Sequence, residues 1–242
     1  YCGNNPISFL DPWGLAHDPY KLPKNYGSPI PIKVAFYDGG HVGGTSLSGG
    51  DQLKEAADDF VYEKDGLTYY LNFDMNVSSP DTFIAGILVS LMNLGYKVTD
   101  VFFFDHCTTD TNGDFALEFG KEVWGPVKMQ AFALWINRRY PGALPSDCTL
   151  NFRHCNVASD LEYLKDLASW FNRNVTGCSG TVDDLSPAVY DPSFELPGAD
   201  YKFSGDLWKA TPKGKTSTIW SQYVPVGWTM DPFPLYDPTL IS

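Results

Sequence analysis

The sequence predicts an α/β protein built on a mostly parallel sheet with helices on both faces, followed by a loop-rich C-terminal extension. Three observations lead there. Along residues 32–178, short apolar runs of strand type alternate with longer segments of helical periodicity, the pattern of parallel strands joined by crossover helices. Two of those runs, Val101-Phe102-Phe103-Phe104 and Thr149-Leu150-Asn151-Phe152-Arg153, read as strands buried in a sheet. A chain of 242 residues that is 43% hydrophobic can also bury a full core.

In chain order, residues 1–15 (YCGNNPISFLDPWGL) are turn-rich and cannot form a core alone. His17 to Pro31 reads as a proline-rich linker. Ile32 to Tyr37 is the first strand, and it runs into the glycine-rich stretch Asp38 to Gly44. Those glycines suggest a phosphate cradle or a loop on the substrate side; no Lys-Ser/Thr follows and the spacing fits neither nucleotide fingerprint, which favours the loop. Asp51 to Tyr62 reads as a helix and Leu67 to Phe73 as a strand. Ser79 to Leu94 is a helix capped by Ser79 or Asp81, with Gly95 as its stop. Thr99 to Phe104 is a strand, Thr108 to Asp114 a polar loop, and Gly120 to Arg139 a helix whose apolar residues are Val123, Val127, Phe132, Leu134, Trp135 and Ile136. After the strand ending at Arg153 comes a helix carrying Leu161, Leu164, Leu167, Ala168 and Phe171, capped by Ser159 or Asp160. Val175-Thr176-Gly177 begins a last strand. From Leu185 onward proline and aromatic residues dominate and helical periodicity disappears, so this part is expected as loops and short strands on the domain.

Composition narrows the function. A net charge of −12 leaves no basic stripe to neutralise phosphates, which argues against nucleic acid as the main partner. No run approaches the apolar length of a membrane span. Five cysteines without framework spacing read as reduced thiols of a chain working in cytoplasm.

The two buried strands each end on a His-Cys pair, His106-Cys107 and His154-Cys155. Parallel sheets present their chemistry at the carboxyl ends of strands. A cysteine nucleophile needs a neighbouring base to raise its thiolate fraction, and a histidine at the next strand end supplies one. The same four residues are also good zinc ligands. Cys148 and Cys178 read as small core residues, and His17 and His41 as solvated loop histidines. Candidate substrate-pocket residues are Asp38, Asp105, Asp183 and Asp184 for a basic side chain and Arg153 for an acidic one.

The segment Gly3-Asn4-Asn5-Pro6 through Asp11-Pro12-Trp13-Gly14-Leu15 resembles the close of an RHS (YD-repeat) core. In that family a variable C-terminal domain, often a toxin, follows this signature. The resemblance implies that residues 1–20 are the end of an RHS shell and its linker. It also implies a secreted effector that acts in the cytoplasm of a target cell and is met by a cognate immunity protein in the producer. Residues 21–184 in turn resemble caspase-like domains of giant bacterial surface proteins, with residues 185–242 as an extension packed on the domain. That family runs strand, helix, strand, long helix, strand ending in Ser-His-Gly, helix, strand ending in Gly-Cys-Asn-Val-Ala, helix, strand. Here Asp105-His106-Cys107 stands for the first signature and His154-Cys155-Asn156-Val157-Ala158 for the second. Gly205-Asp206-Leu207-Trp208 is similar to a later Gly-x-Trp unit. The order, histidine first and cysteine second, is the caspase-like one. The resemblance implies a clan CD cysteine endopeptidase acting on a protein substrate, with His106 as general base, Cys155 as nucleophile, and the backbone N–H groups of Cys107 and Cys155 as oxyanion hole. No metal or organic cofactor is implied. Two other readings stand beside it: a catalytically inactive caspase-like binding module, and a zinc-stabilised domain.

Overall fold

The computed structural model describes residues 29–39, 69–154, 156–180 and 206–220. Within them the fold is mixed α/β. Its main sheet has seven strands: β1 (Ile30–Tyr37), β2 (Tyr69–Asp74), β3 (Tyr96–Phe104), β7 (Thr149–Phe152), β8 (Asn174–Cys178), β9 (Leu207–Ala210) and β10 (Thr216–Trp220). They lie in the order β10-β9-β8-β7-β3-β1-β2. β2, β1, β3, β7 and β8 are parallel, and β9 and β10 close one edge as antiparallel strands. β4 (Cys107–Thr109), β5 (Phe115–Phe119) and β6 (Glu122–Trp124) form a separate three-stranded antiparallel sheet. Three helices complete the described residues: α1 (Pro80–Asn93), α2 (Pro126–Arg139) and α3 (Leu161–Phe171).

One face of the main sheet carries the core. Phe73, Phe36, Phe103 and Phe152 stand opposite one another on β2, β1, β3 and β7. Their ring centroids are 5.9, 5.8 and 5.2 Å apart in that order. Such a row spans four strands at one level and adds aromatic contact to its buried area. A bulge keeps the row on one face: Ile32 pairs with Val98 but Lys33 pairs with Asp100, so Thr99 is the extra residue. Apart from Pro80, the buried residues of the three described helices belong to the same core. The helix expected over Asp51 to Tyr62 lies outside the described residues.

Local chemistry explains the helix ends. Asp160 caps α3 by accepting the Glu162 N–H at 2.9 Å, and Asn172 ends it in the left-handed region at φ 53°. Pro80 opens α1 from Ser79, whose side chain makes no capping bond, and Gly95 follows its end at φ 82°. Two expectations are corrected. The polar loop expected from Thr108 is a hairpin, with Thr108 and Thr109 in β4 and a turn over Asp110–Asp114. The helix expected from Gly120 begins only at Pro126, because Gly125 is held extended before a proline and proline suits the first helical position. Val123 is therefore a strand residue, and Val127 is 83% exposed, while Met129, Phe132, Ala133 and Ile136 face the core. The aromatic- and proline-rich part beyond residue 184 also joins the main sheet directly, through β9 and β10. No helix among the described residues is long and apolar enough to cross a membrane.

Candidate functional site

The parallel strands end together, and their last residues make the candidate site. β1 leads into Asp38, β2 ends on Asp74 before Met75, β3 leads into Asp105 and His106, and β7 leads into Arg153 and His154. The chain goes from β1 outward to β2 and then returns to β3 on the other side of β1. Parallel sheets hold their ligands at such a reversal, beside the carboxyl ends of the strands, here those of β1 and β3.

Asp105 is 1% exposed. Its Oδ1 accepts the His106 N–H at 2.7 Å and its Oδ2 accepts the Gly120 N–H at 3.0 Å, an arrangement that fastens loops. Burial pushes its carboxyl up to about 8; the His106 and Gly120 N–H groups pull the other way, and the nearby Asp38 and Glu118 charges add to the rise. Asp38 is buried beside it. Asp74 performs a similar task, accepting the Gly39 and Asn76 N–H groups at 3.0 and 2.9 Å. Arg153 is buried over the Phe102 ring at 5.2 Å, on the sheet face opposite the Phe103 row, with Nη1 3.5 Å from Thr176 Oγ1. Thr176 in turn donates to Asn151 Oδ1 at 2.7 Å.

His106 is half-buried between β3 and β4. His154 is fully buried, its ring 5.4 Å from that of Phe119 and 6.0 Å from that of Phe152. Nε2 lies 3.0 Å from Glu118 O, so Nε2 carries the hydrogen and donates it, since a carbonyl only accepts. Burial pushes His154 down to about 3; the Glu118 bond opposes this, and the His106 charge acts in the same direction as burial. The imidazole is therefore neutral at physiological pH.

Cys155, Asp183 and Asp184 lie outside the described residues. The residues on either side of Cys155 are anchored. His154 is held by Glu118, and Asn156 donates its N–H to Gly180 O at 2.8 Å with φ 58°. Asparagine tolerates that left-handed turn. Val157 and Ala158 are buried, and Gly177 is required beside them, because a Cβ there would stand 2.9 Å from Val157 Cγ1.

Cys107 opens β4 opposite Leu117. Antiparallel pairs alternate between those that exchange backbone bonds and those that do not. Glu118 N–H bonds His106 O and Asp110 N–H bonds Asp114 O, so Cys107 and Leu117 form a pair of the second kind. The Cys107 N–H thus points away from β5, toward the outer edge of the small sheet. Cys107, Cys148 and Cys178 are present as thiols, the last two buried. Among the described residues no group of three or more His, Cys, Asp or Glu side chains is placed to hold a metal ion.

The structure therefore brings Asp38, Asp105, His106 and His154 to one end of the sheet, with Arg153 on its second face. Sequence reasoning missed Glu118 and Gly120, which act through backbone groups that leave no trace in residue type. The chain matches no protein-family model, and no curated protein matches it in sequence.

Proposed function

We propose that the chain is a caspase-like cysteine endopeptidase, the toxic domain of an RHS-delivered effector, with His106 and Cys155 as its dyad. The observation that carries this reading is the pairing of β3 with β7. The two strands are parallel neighbours in register from Asp100 opposite Thr149 to Phe103 opposite Phe152. His106 follows one strand, and His154, the residue before Cys155 in the chain, follows the other at the same end of the sheet. From β2 to β8 the described strands and helices alternate in the order expected of the caspase-like domains the sequence resembles, with β4–β6 between the histidine and α2; the helix expected before β2 lies outside the described residues. In this mechanism the Cys155 thiolate attacks a peptide carbonyl carbon and forms a thioester as the C–N bond breaks. His106 gives the departing amine its proton, and water, deprotonated by His106, then cleaves the thioester. The outward N–H of Cys107 suits one arm of an oxyanion hole, with the Cys155 N–H as the other.

The test is growth inhibition measured beside thermal melting. Cys155→Ser and His106→Ala should each abolish inhibition in a protein that melts normally, while Cys107→Ala should have a small effect, since only its backbone is used. Full inhibition by a folded Cys155→Ser protein would overturn the reading in favour of a binding module. A fold lost in all three variants and in the presence of a chelator would mark a zinc-stabilised domain.

A further inference from the structure

The contact between the small sheet and the strand ends contains an opened ladder pair. Cys107 faces Leu117 and Thr108 faces Ala116, so His106 faces Glu118. This pair is of the exchanging kind, since Glu118 N–H donates to His106 O at 2.9 Å. The second bond of such a pair runs from the first residue's N–H to the other's carbonyl. Here both groups are turned elsewhere. The His106 N–H goes to Asp105 Oδ1 at 2.7 Å, and Glu118 O accepts from His154 Nε2 at 3.0 Å. Two side chains thus replace one backbone bond, one from each strand end of the site.

Two residues further on, the small sheet is pinned again. The Gly120 N–H meets Asp105 Oδ2 at 3.0 Å. Gly120 has φ 55°, and a Cβ there would stand 2.1 Å from Met75 O, so only glycine fits against the end of β2. The segment from Glu118 to Gly120 therefore touches the ends of β2, β3 and β7 at once. Phe119, between them, packs its ring on Phe103, Phe152 and His154.

We propose that His154 is a positioning residue for the reaction. By holding the Glu118 carbonyl it keeps the His106 peptide turned toward Asp105, and it fixes the backbone that leads into Cys155. The claim rests on the peptidase reading above and concerns the alignment of its two members. A neutral ring with one donor, buried among aromatic rings, suits this task. A residue with the same volume and no donor would release Glu118 O to bond His106 N–H and close the ladder, turning His106 away.

Iodoacetamide alkylation of Cys155, followed against pH in the full chain by peptide mass spectrometry, reads the alignment. A histidine-paired thiol reacts at lower pH than an isolated one. His154→Phe, which fills the space without a donor, should raise the midpoint by about one pH unit or more and reduce growth inhibition, while melting stays within a few degrees. His154→Gln, whose amide N–H replaces Nε2–H, should restore both. A folded His154→Phe protein with the wild-type profile would overturn the positioning claim and leave the dyad standing. Coincident profiles for wild type and His106→Ala would overturn the dyad and, with it, the claim. A measurement on the wild type keeps the test open should the Phe variant not fold. At pH 7, nitrogen-15 spectra should show His154 protonated on Nε2 with a slowly exchanging proton; protonation on Nδ1 would overturn the proposal.

Discussion

Phe119→Ala should destabilise the protein by about 3–5 kcal/mol, the range for removing a fully buried phenylalanine ring. Phe119 is 1% exposed. It stacks on Trp124 at 4.3 Å, meets the edge of Phe103 at 5.3 Å, and lies 5.4 Å from the His154 ring. These neighbours come from β6, β3 and the end of β7, three separately anchored segments, so the cavity has little freedom to collapse. The same deletion loosens the seat of the small sheet on the large one, and growth inhibition should fall even where the protein remains folded. Urea denaturation gives the free energy directly, and Phe119→Leu should recover part of it. A loss under about 1 kcal/mol would mean that Phe119 is not the joint between the two sheets.

The second large effect is in the pH dependence of stability, where two buried groups act in opposite directions. His154 is pushed from 6.5 down to about 3 in the folded state, so the unfolded chain binds the proton first. Its contribution is present above pH 6.5 and is lost as pH falls toward 3, by up to about 1.4 kcal/mol per pH unit. Asp105 is raised from 3.8 to about 8, so the folded state holds the proton longer. Its contribution is present below pH 3.8 and is lost as pH rises toward 8. Between about pH 4 and 6.5 the two slopes cancel; from 6.5 to 8 only the Asp105 slope remains, a fall of about 2 kcal/mol. Urea midpoints taken across pH should therefore show a plateau with a descending alkaline arm. Asp105→Asn should remove that arm, and His154→Phe should replace the plateau with a decline that starts near pH 4. A wild-type curve that rises from pH 6.5 to 8, or an alkaline arm unchanged in Asp105→Asn, would contradict this assignment.

The centre of the main sheet was legible because its strands are unmixed apolar runs. The apolar run through Phe104 and the strand before Arg153 could be read as buried neighbours, α3 announced itself by its period and its Asp160 cap, and Gly95 marked the end of α1. β4 to β6 were not legible, for physical reasons. They have three to five residues each, too few to establish a period of two, and Thr108, Thr109 and Glu118 carry no strong apolar signal. In Val123-Trp124 the pattern also merges with that of the helix beyond. Gly125-Pro126 was the available sign that the helix starts there. At the site, the two histidines at strand ends could be found from sequence. The task of His154 could not, because its partner is a carbonyl and its burial comes from Phe119, 35 residues earlier in the chain.

The proposed cleavage of proteins by Cys155 is tested most directly by looking for the cut ends. The wild-type chain and its Cys155→Ala variant would be expressed in sensitive cells, and protein N-termini compared across the proteome. A defined set of new N-termini sharing a residue preference before the cut should be present with wild type and absent with Cys155→Ala at equal protein levels. Growth inhibition by the wild type with identical N-termini in both samples would contradict it.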